Sequence, residues 1–110
     1  MSLPLDTIAA AAQRIGITTE DLAAVVQRGR AVAYGAGDYL FHESTPRQWL
    51  GIVLEGDVEI IRGAQARTTT LAVLVPGAVF GEGVMLDDSP HASSAVARQG
   101  GKVWHVVWLV

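Results

Sequence analysis

Cysteine is absent from the 110 residues. That excludes a disulfide framework, a thiolate metal centre and a cysteine nucleophile. Charge is scarce as well: 17% of residues are Asp, Glu, Lys or Arg, eight basic against eleven acidic, for a formal net charge of −3. Without a basic excess a surface does not hold nucleic-acid phosphates, so no nucleic-acid partner is expected for this segment. No uninterrupted apolar run approaches the roughly 20 residues that cross a bilayer as a helix, and the first residues show no charged-then-apolar leader. No membrane partner is expected, and the cytoplasm is the default location. Aromatic residues make up only 6% of the chain, so the position of each one carries weight.

What is present is apolar and glycine-rich. Half of the residues are hydrophobic, and twelve are glycine. This suits one small domain with a packed core and many tight turns. DTIAAAAQR (Asp6 to Arg14) predicts a helix capped at Asp6 or Thr7 and ended by Gly16. ITTEDLAAVVQRG predicts a second, starting at Thr18 or Thr19, acidic in its first turn, basic at Arg28 and stopping at Gly29. Leu22, Val25 and Val26 share one face of it, which must pack on something.

From Arg30 the pattern becomes short apolar or alternating runs. Strands are expected near Ala31–Tyr34, Tyr39–His42, Trp49–Leu54, Asp57–Arg62, Thr69–Val75, Ala92–Ala97 and Val103–Val107, with a short AVF strand ending at Phe80. Gly56-Asp57 and Gly100-Gly101 read as hairpin signals, and Pro76-Gly77 as a turn. Many short strands at close spacing predict a closed or sandwiched all-β body flanked by the leading helices. VWHVVWLV at the end of the chain is strongly apolar. It is expected to be buried centrally, or to have been followed by more chain in a larger polypeptide.

The candidate site lies in FGEGVMLDDSPHASSAVAR, Phe80 to Arg98. A strand runs into Gly81-Glu82-Gly83, and Val84-Met85-Leu86 can form one helical turn. Backbone N–H groups at such a turn, approached closely over glycine, suit an anion. Glu82 beside them would repel a phosphate but accept a hydrogen bond from a sugar hydroxyl. The pair suits a phosphorylated sugar. His91 follows Pro90 at the same pocket, and Ala92, Ser93 and Ser94 leave room for a flat ligand. On these grounds alone, the alternative is that Gly81 and Gly83 serve a tight turn and Glu82 caps it.

These residues resemble the phosphate-binding cassette of cyclic nucleotide-binding domains, which runs F-G-E, a small apolar helix, a turn and Pro-Arg-x-Ala. GAGDYLFHESTPRQWLGIVLEGDVEI upstream is similar to the family's G-D-x-L-F-x-E run and the apolar strand that follows it. The match extends from about Ile17 to Val106. It implies an eight-stranded double-stranded β-helix, or jelly roll, with short N-terminal helices. The chain would be a single such domain over 1–110, with helices in 1–29, the β-roll in 30–110 and the cassette in 80–94.

By resemblance, Glu82 would bind the ribose 2′-hydroxyl, and the backbone of Gly81, Glu82, Gly83, Val84 and Ala92 would face the phosphate and ribose. His91, followed by Ala92 and Ser93, falls where the family carries its phosphate-binding arginine. Ala92 stands where cGMP-preferring relatives often have threonine, which tilts the expectation from cGMP toward cAMP. Gly37, Gly56 and Gly77 match turn glycines, while Ser44 replaces the glycine that usually follows Glu43. Histidine lacks arginine's charged fork, and its replacement of that contact costs about 1.5–3 kcal/mol. If His91 meets the phosphate, affinity rises as pH falls from about 8 to 5.5. The C-terminal helices that close over the base in this family are missing from the 110 residues.

The expected function is a regulatory sensor module binding cAMP or cGMP and fused or coupled to an effector domain, with no cofactor and no catalysis. The alternative is a degenerate domain that keeps the roll without the ligand and acts as a structural or homodimerisation module. With no lid helices, Trp104 or Trp108 would lie exposed and drive that dimer. His42, His91 and His105 are not spaced as a metal set, and the H-x-H…E pattern of metal-binding cupins is absent. His42 and His105 read as packing or surface histidines, Asp87-Asp88 as an exposed turn, and Ser93 and Ser94 lack a base partner.

Overall fold

A computed structural model of the chain describes residues 5–63, 66–81 and 89–107. Two helices come first, α1 (Leu5–Arg14) and α2 (Thr19–Arg28). Asp6 lies inside the first turn of α1 rather than capping it, where a carboxylate still complements the helix dipole. Thr18 caps α2, its hydroxyl accepting from the Asp21 N–H at 3.2 Å. Eight strands follow: β1 (Gly29–Tyr34), β2 (Asp38–Phe41), β3 (Trp49–Gly56), β4 (Val58–Arg62), β5 (Thr69–Leu74), β6 (Val79–Phe80), β7 (Ser94–Ala97) and β8 (Gly101–Val107). They form two antiparallel four-stranded sheets of order β1-β8-β3-β6 and β2-β7-β4-β5, a jelly roll.

The sheet containing β8 and β3 is covered on both sides, which explains its unbroken apolar sequence. Leu50, Ile52, Trp104 and Val106 point to the helices and pack with Ile8, Ala11 and Val25. Val53 and Val103 point the other way and pack with Val58, Phe80 and Ala95 of the sandwich interior. Strand β8 sits between β1 and β3, so VWHVV is a central strand. Leu22 and Val26 close on the helix-side cluster beside Val25, as the shared face required.

Two expectations change here. Gly56-Asp57 and Gly100-Gly101 are not hairpins, because β3 and β4 lie in different sheets, as do β7 and β8. Both turns carry the chain from one sheet to the other, and they lie against each other: a Cβ on Gly56 would meet the Gly100 carbonyl at 2.3 Å, and one on Gly101 the Glu55 carbonyl at 2.3 Å. Glycine is used for close approach of two corners, which a two-residue pattern does not distinguish from a hairpin. Trp104, expected exposed in a dimer, is only 3% exposed. Its indole N–H donates to the Val25 carbonyl at 3.1 Å, pinning β8 to α2. Trp108 lies outside the described residues.

Candidate functional site

The cavity of interest opens at one end of the sandwich, where β6 leaves Phe80 and the chain returns toward β7. It measures about 440 Å³. Phe41, Ile60, Leu74, Val79 and Phe80 form its apolar walls, while Arg47, Gly81, His91, Ala92 and Ser93 line the rest. Such a volume lies within the roughly 300–1,000 Å³ of small-ligand sites. Four of the seven candidate residues, Gly81, His91, Ala92 and Ser93, therefore share one cavity. Glu82, Gly83 and Val84 lie outside the described residues, as do Asp87 and Asp88.

Gly81 has φ +74°, and a Cβ there would approach the Trp49 carbonyl to 3.0 Å. Glycine lets the chain turn out of β6 against the backbone of β3. His91 is 6% exposed. Its ring lies flat on Phe41, with centroids 3.7 Å apart and an interplanar angle of 7°. Burial, reinforced by the Arg47 charge, lowers its pKa below the ordinary 6.5, so the imidazole is neutral at pH 7. The rise in affinity expected on acidification moves correspondingly lower in pH.

The connection between β2 and β3 holds this segment in place. Ser44 N–H donates to the His91 carbonyl at 2.8 Å, and His91 N–H to the Thr45 carbonyl at 2.9 Å. Glu43 N–H donates to Ser94 Oγ at 2.9 Å, and Glu43 Oε1 accepts from Gly63 N–H at 2.9 Å. Arg47 Nε donates to the Ser89 carbonyl at 2.5 Å. Arg62 Nε donates to the Ala92 carbonyl at 3.4 Å. A register shift between Tyr39 and Phe41 in the β2–β7 pairing lies just before Phe41, the kind of irregularity that re-aims a side chain beside a site.

Phe41, Trp49, Phe80 and His105 form one cluster, of which Phe41 and Phe80 line the cavity. Phe41 meets Trp49 edge-on at 5.7 Å, and Trp49 meets Phe80 edge-on at 5.8 Å. His105 packs against Trp49 with centroids 3.4 Å apart. His42 is instead an exposed histidine stacked on Tyr39. Among the described residues no group of three His, Asp or Glu side chains could hold a metal ion, and no helix is long and apolar enough to cross a membrane.

Arg47, Phe41, Ile60, Leu74 and Val79 were not legible as site residues. Arg47 sits in a turn, STPRQ, that offers no periodicity, and only its solitary charge in a charge-poor stretch marks it.

The jelly roll thus carries at one end a cavity with apolar walls, a glycine turn at Gly81 and Arg47 in its lining. The chain belongs to the cyclic nucleotide-binding domain family, whose model matches residues 31–107. The cyclic AMP receptor protein of Thermus thermophilus is 34% identical over 85 residues, covering 74% of this chain and 38% of that protein. The chain thus spans well under half of that relative's length. Among solved structures, the N-terminal domain of a Streptomyces coelicolor transcriptional regulator is 29% identical with a TM-score of 0.72, over 84% of this chain and 67% of that one. The regulatory domain of Toxoplasma gondii PKA with cAMP shares the fold at TM-score 0.81 and 18% identity, over 97% of this chain and 43% of that one.

Proposed function

We propose that this chain is the ligand-sensing module of a regulated protein and that it binds a cyclic nucleotide, cAMP in preference to cGMP. The observation that carries the reading is the cavity that brings Gly81, His91, Ala92 and Ser93 together beneath apolar walls. Ile60, Leu74 and Val79 give a base an apolar surface. The backbone at Gly81 and Ala92 is offered to phosphate and ribose, and Glu82 takes the ribose hydroxyl. The module spans 1–110, with helices in 1–29 and the roll in 30–110, acts without catalysing a reaction, and passes occupancy to an attached effector in the cytoplasm.

Calorimetric titration of cAMP and cGMP at pH 7.5 and pH 6 tests this. Saturable binding, tighter for cAMP, is expected, and Glu82→Ala abolishes it. Unchanged affinity in that variant removes the ribose assignment. Silence of the wild type at about 1 mM ligand, an interaction weaker than about −4 kcal/mol, overturns the sensor reading in favour of a structural module.

A further inference from the structure

We infer that strand β5 is the surface through which this chain pairs with a second copy of itself, edge to edge and antiparallel, about a two-fold axis at Val73. The inference goes beyond the sensor reading and does not depend on it. The described strands leave four sheet edges, β1 and β6 in one sheet and β2 and β5 in the other. Natural edges are blunted by shortness, charge or irregularity. Strand β6 has two residues, β2 has four and starts at Asp38, and β1 carries Arg30. Strand β5 has six residues, and Thr68 to Val75 contains no charge, proline or glycine. Its one irregularity lies in the β4–β5 pairing, where Ile60 faces Ala72 and Ile61 faces Thr70, so that Leu71 is the extra residue of a bulge. From Ala72 to Leu74 the pairing is regular.

Leu74 of this strand lines the cavity, and Val73 and Val75 alternate with it onto the opposite face. Leu71, Val73 and Val75 are 49%, 52% and 59% exposed, three of the six large apolar side chains exposed among the described residues. Trp104 is buried and offers no dimer contact, so the exposed apolar surface is concentrated here. The chemistry of the edge selects a second copy. An antiparallel register centred on Val73 sets Val73 opposite Val73 and Leu71 opposite Val75 of the second copy, on one face of the joined sheet, and no charge falls within the pairing. The charges around the strand are complementary under the same axis. Arg62 pairs with Thr69 at one end, and Arg67 stands just before it. Asp57 stands at the other end, next to Val58, the partner of Leu74. Asp6 and Arg14, which flank Pro76 and Gly77 beyond that end, cancel. A two-fold antiparallel pairing therefore lays the basic end of each copy beside the acidic end of the other, whereas a parallel one would lay like ends together.

Sedimentation of the chain over about 5 to 500 µM tests this. The contact of two short strands is smaller than a standard interface, so a reversible dimer with a Kd on the order of 10–100 µM is expected. Val73→Glu and Val73→Lys each set two like charges against each other on the axis and should weaken the dimer at least about 10-fold. Mixing the two variants should restore a dimer that neither forms alone, the signature of a pairing that joins this residue to its own copy. Circular dichroism checks that each variant keeps its β structure. Amide hydrogen exchange of the wild type, dilute and concentrated, gives a readout that stands even if a variant fails to fold: β5 amides should gain protection with concentration while those of β1 do not. A chain that stays monomeric at about 500 µM overturns the inference and leaves the edge to a foreign strand. So does a dimer indifferent to both variants, a mixture that fails to associate, or a β5 whose exchange ignores concentration. None of these outcomes touches the titration of cAMP, which reports on the sensor reading separately.

Discussion

His105 should make this protein acid-labile above the range where carboxylates matter. The residue lies on the central strand β8, packed on Trp49, and is paired in register with Arg30 of β1 on one side and Gly51 of β3 on the other. Its Nε2 is buried without a hydrogen-bond partner among the described residues. Burial first, and the Arg30 charge second, lower its pKa from 6.5 to about 4. The folded state thus binds the proton more weakly than the unfolded chain. Stability from this group is complete above about pH 6.5, is lost as pH falls through the window from 6.5 to 4, and falls no further below. The gap of about 2.5 on the pH scale corresponds to at most ~3.4 kcal/mol. Because the side chain is only partly buried, solvent screening reduces this to about 1–2 kcal/mol. Urea unfolding followed by tryptophan fluorescence at pH 7.5 and pH 4.5, on the wild type and His105→Gln, measures it. The wild type should lose about 1–2 kcal/mol more than the variant over that interval. A parallel loss in both proteins, or an imidazole that titrates near 6.5 by NMR, refutes the burial argument.

Two further outcomes follow from the backbone. Ser44 is the one non-glycine residue with positive φ among those described, at +68°. Ser44→Gly relieves about 1–2 kcal/mol of left-handed strain against the entropy glycine adds to the unfolded chain. The expected net gain is about 0.5–1 kcal/mol, read as a rise in Tm of about 2–6 °C in a calorimetric scan; a lower Tm contradicts it. At Gly29 the constraint is spatial, since a Cβ there would sit 2.0 Å from Nε1 of Trp104. Gly29→Ala must displace an indole that is buried and hydrogen-bonded to Val25, and about 2–4 kcal/mol is expected to be lost in chemical denaturation. A change below 0.5 kcal/mol, within the scatter of ordinary surface substitutions, would show that the ring moves freely.

The sequence made the strands legible because local patterning and burial agree there. WLGIVL and VWHVV are apolar on both faces, and both faces are covered. Gly37, Gly56 and Gly77, which matched the family's turn glycines, all have positive φ. What local pattern could not carry was the partner across a turn. Gly56-Asp57 has hairpin chemistry, but its strands pair with β8 and β7 from much further along the chain. Trp104 failed for the same reason, since its exposure depends on a helix 79 residues away. Of the candidate residues, Gly81, His91, Ala92 and Ser93 line the cavity, while Glu82, Gly83 and Val84 lie outside the described residues. Arg47 was missed because its bond to Ser89 closes over 42 residues, a separation no spacing rule reaches.

Position 91 performs several separable structural tasks. Its backbone N–H and carbonyl still bond the β2–β3 connection through Thr45 and Ser44, and these contacts are indifferent to the side chain. The ring adds a flat contact with Phe41, which joins it to the cluster of Trp49, Phe80 and His105. A protonated imidazole there would have to be desolvated beside Arg47, which opposes it. With the backbone bonded to the β2–β3 connection and the imidazole packed on Phe41, this position accommodates the neutral ring and opposes the charged one.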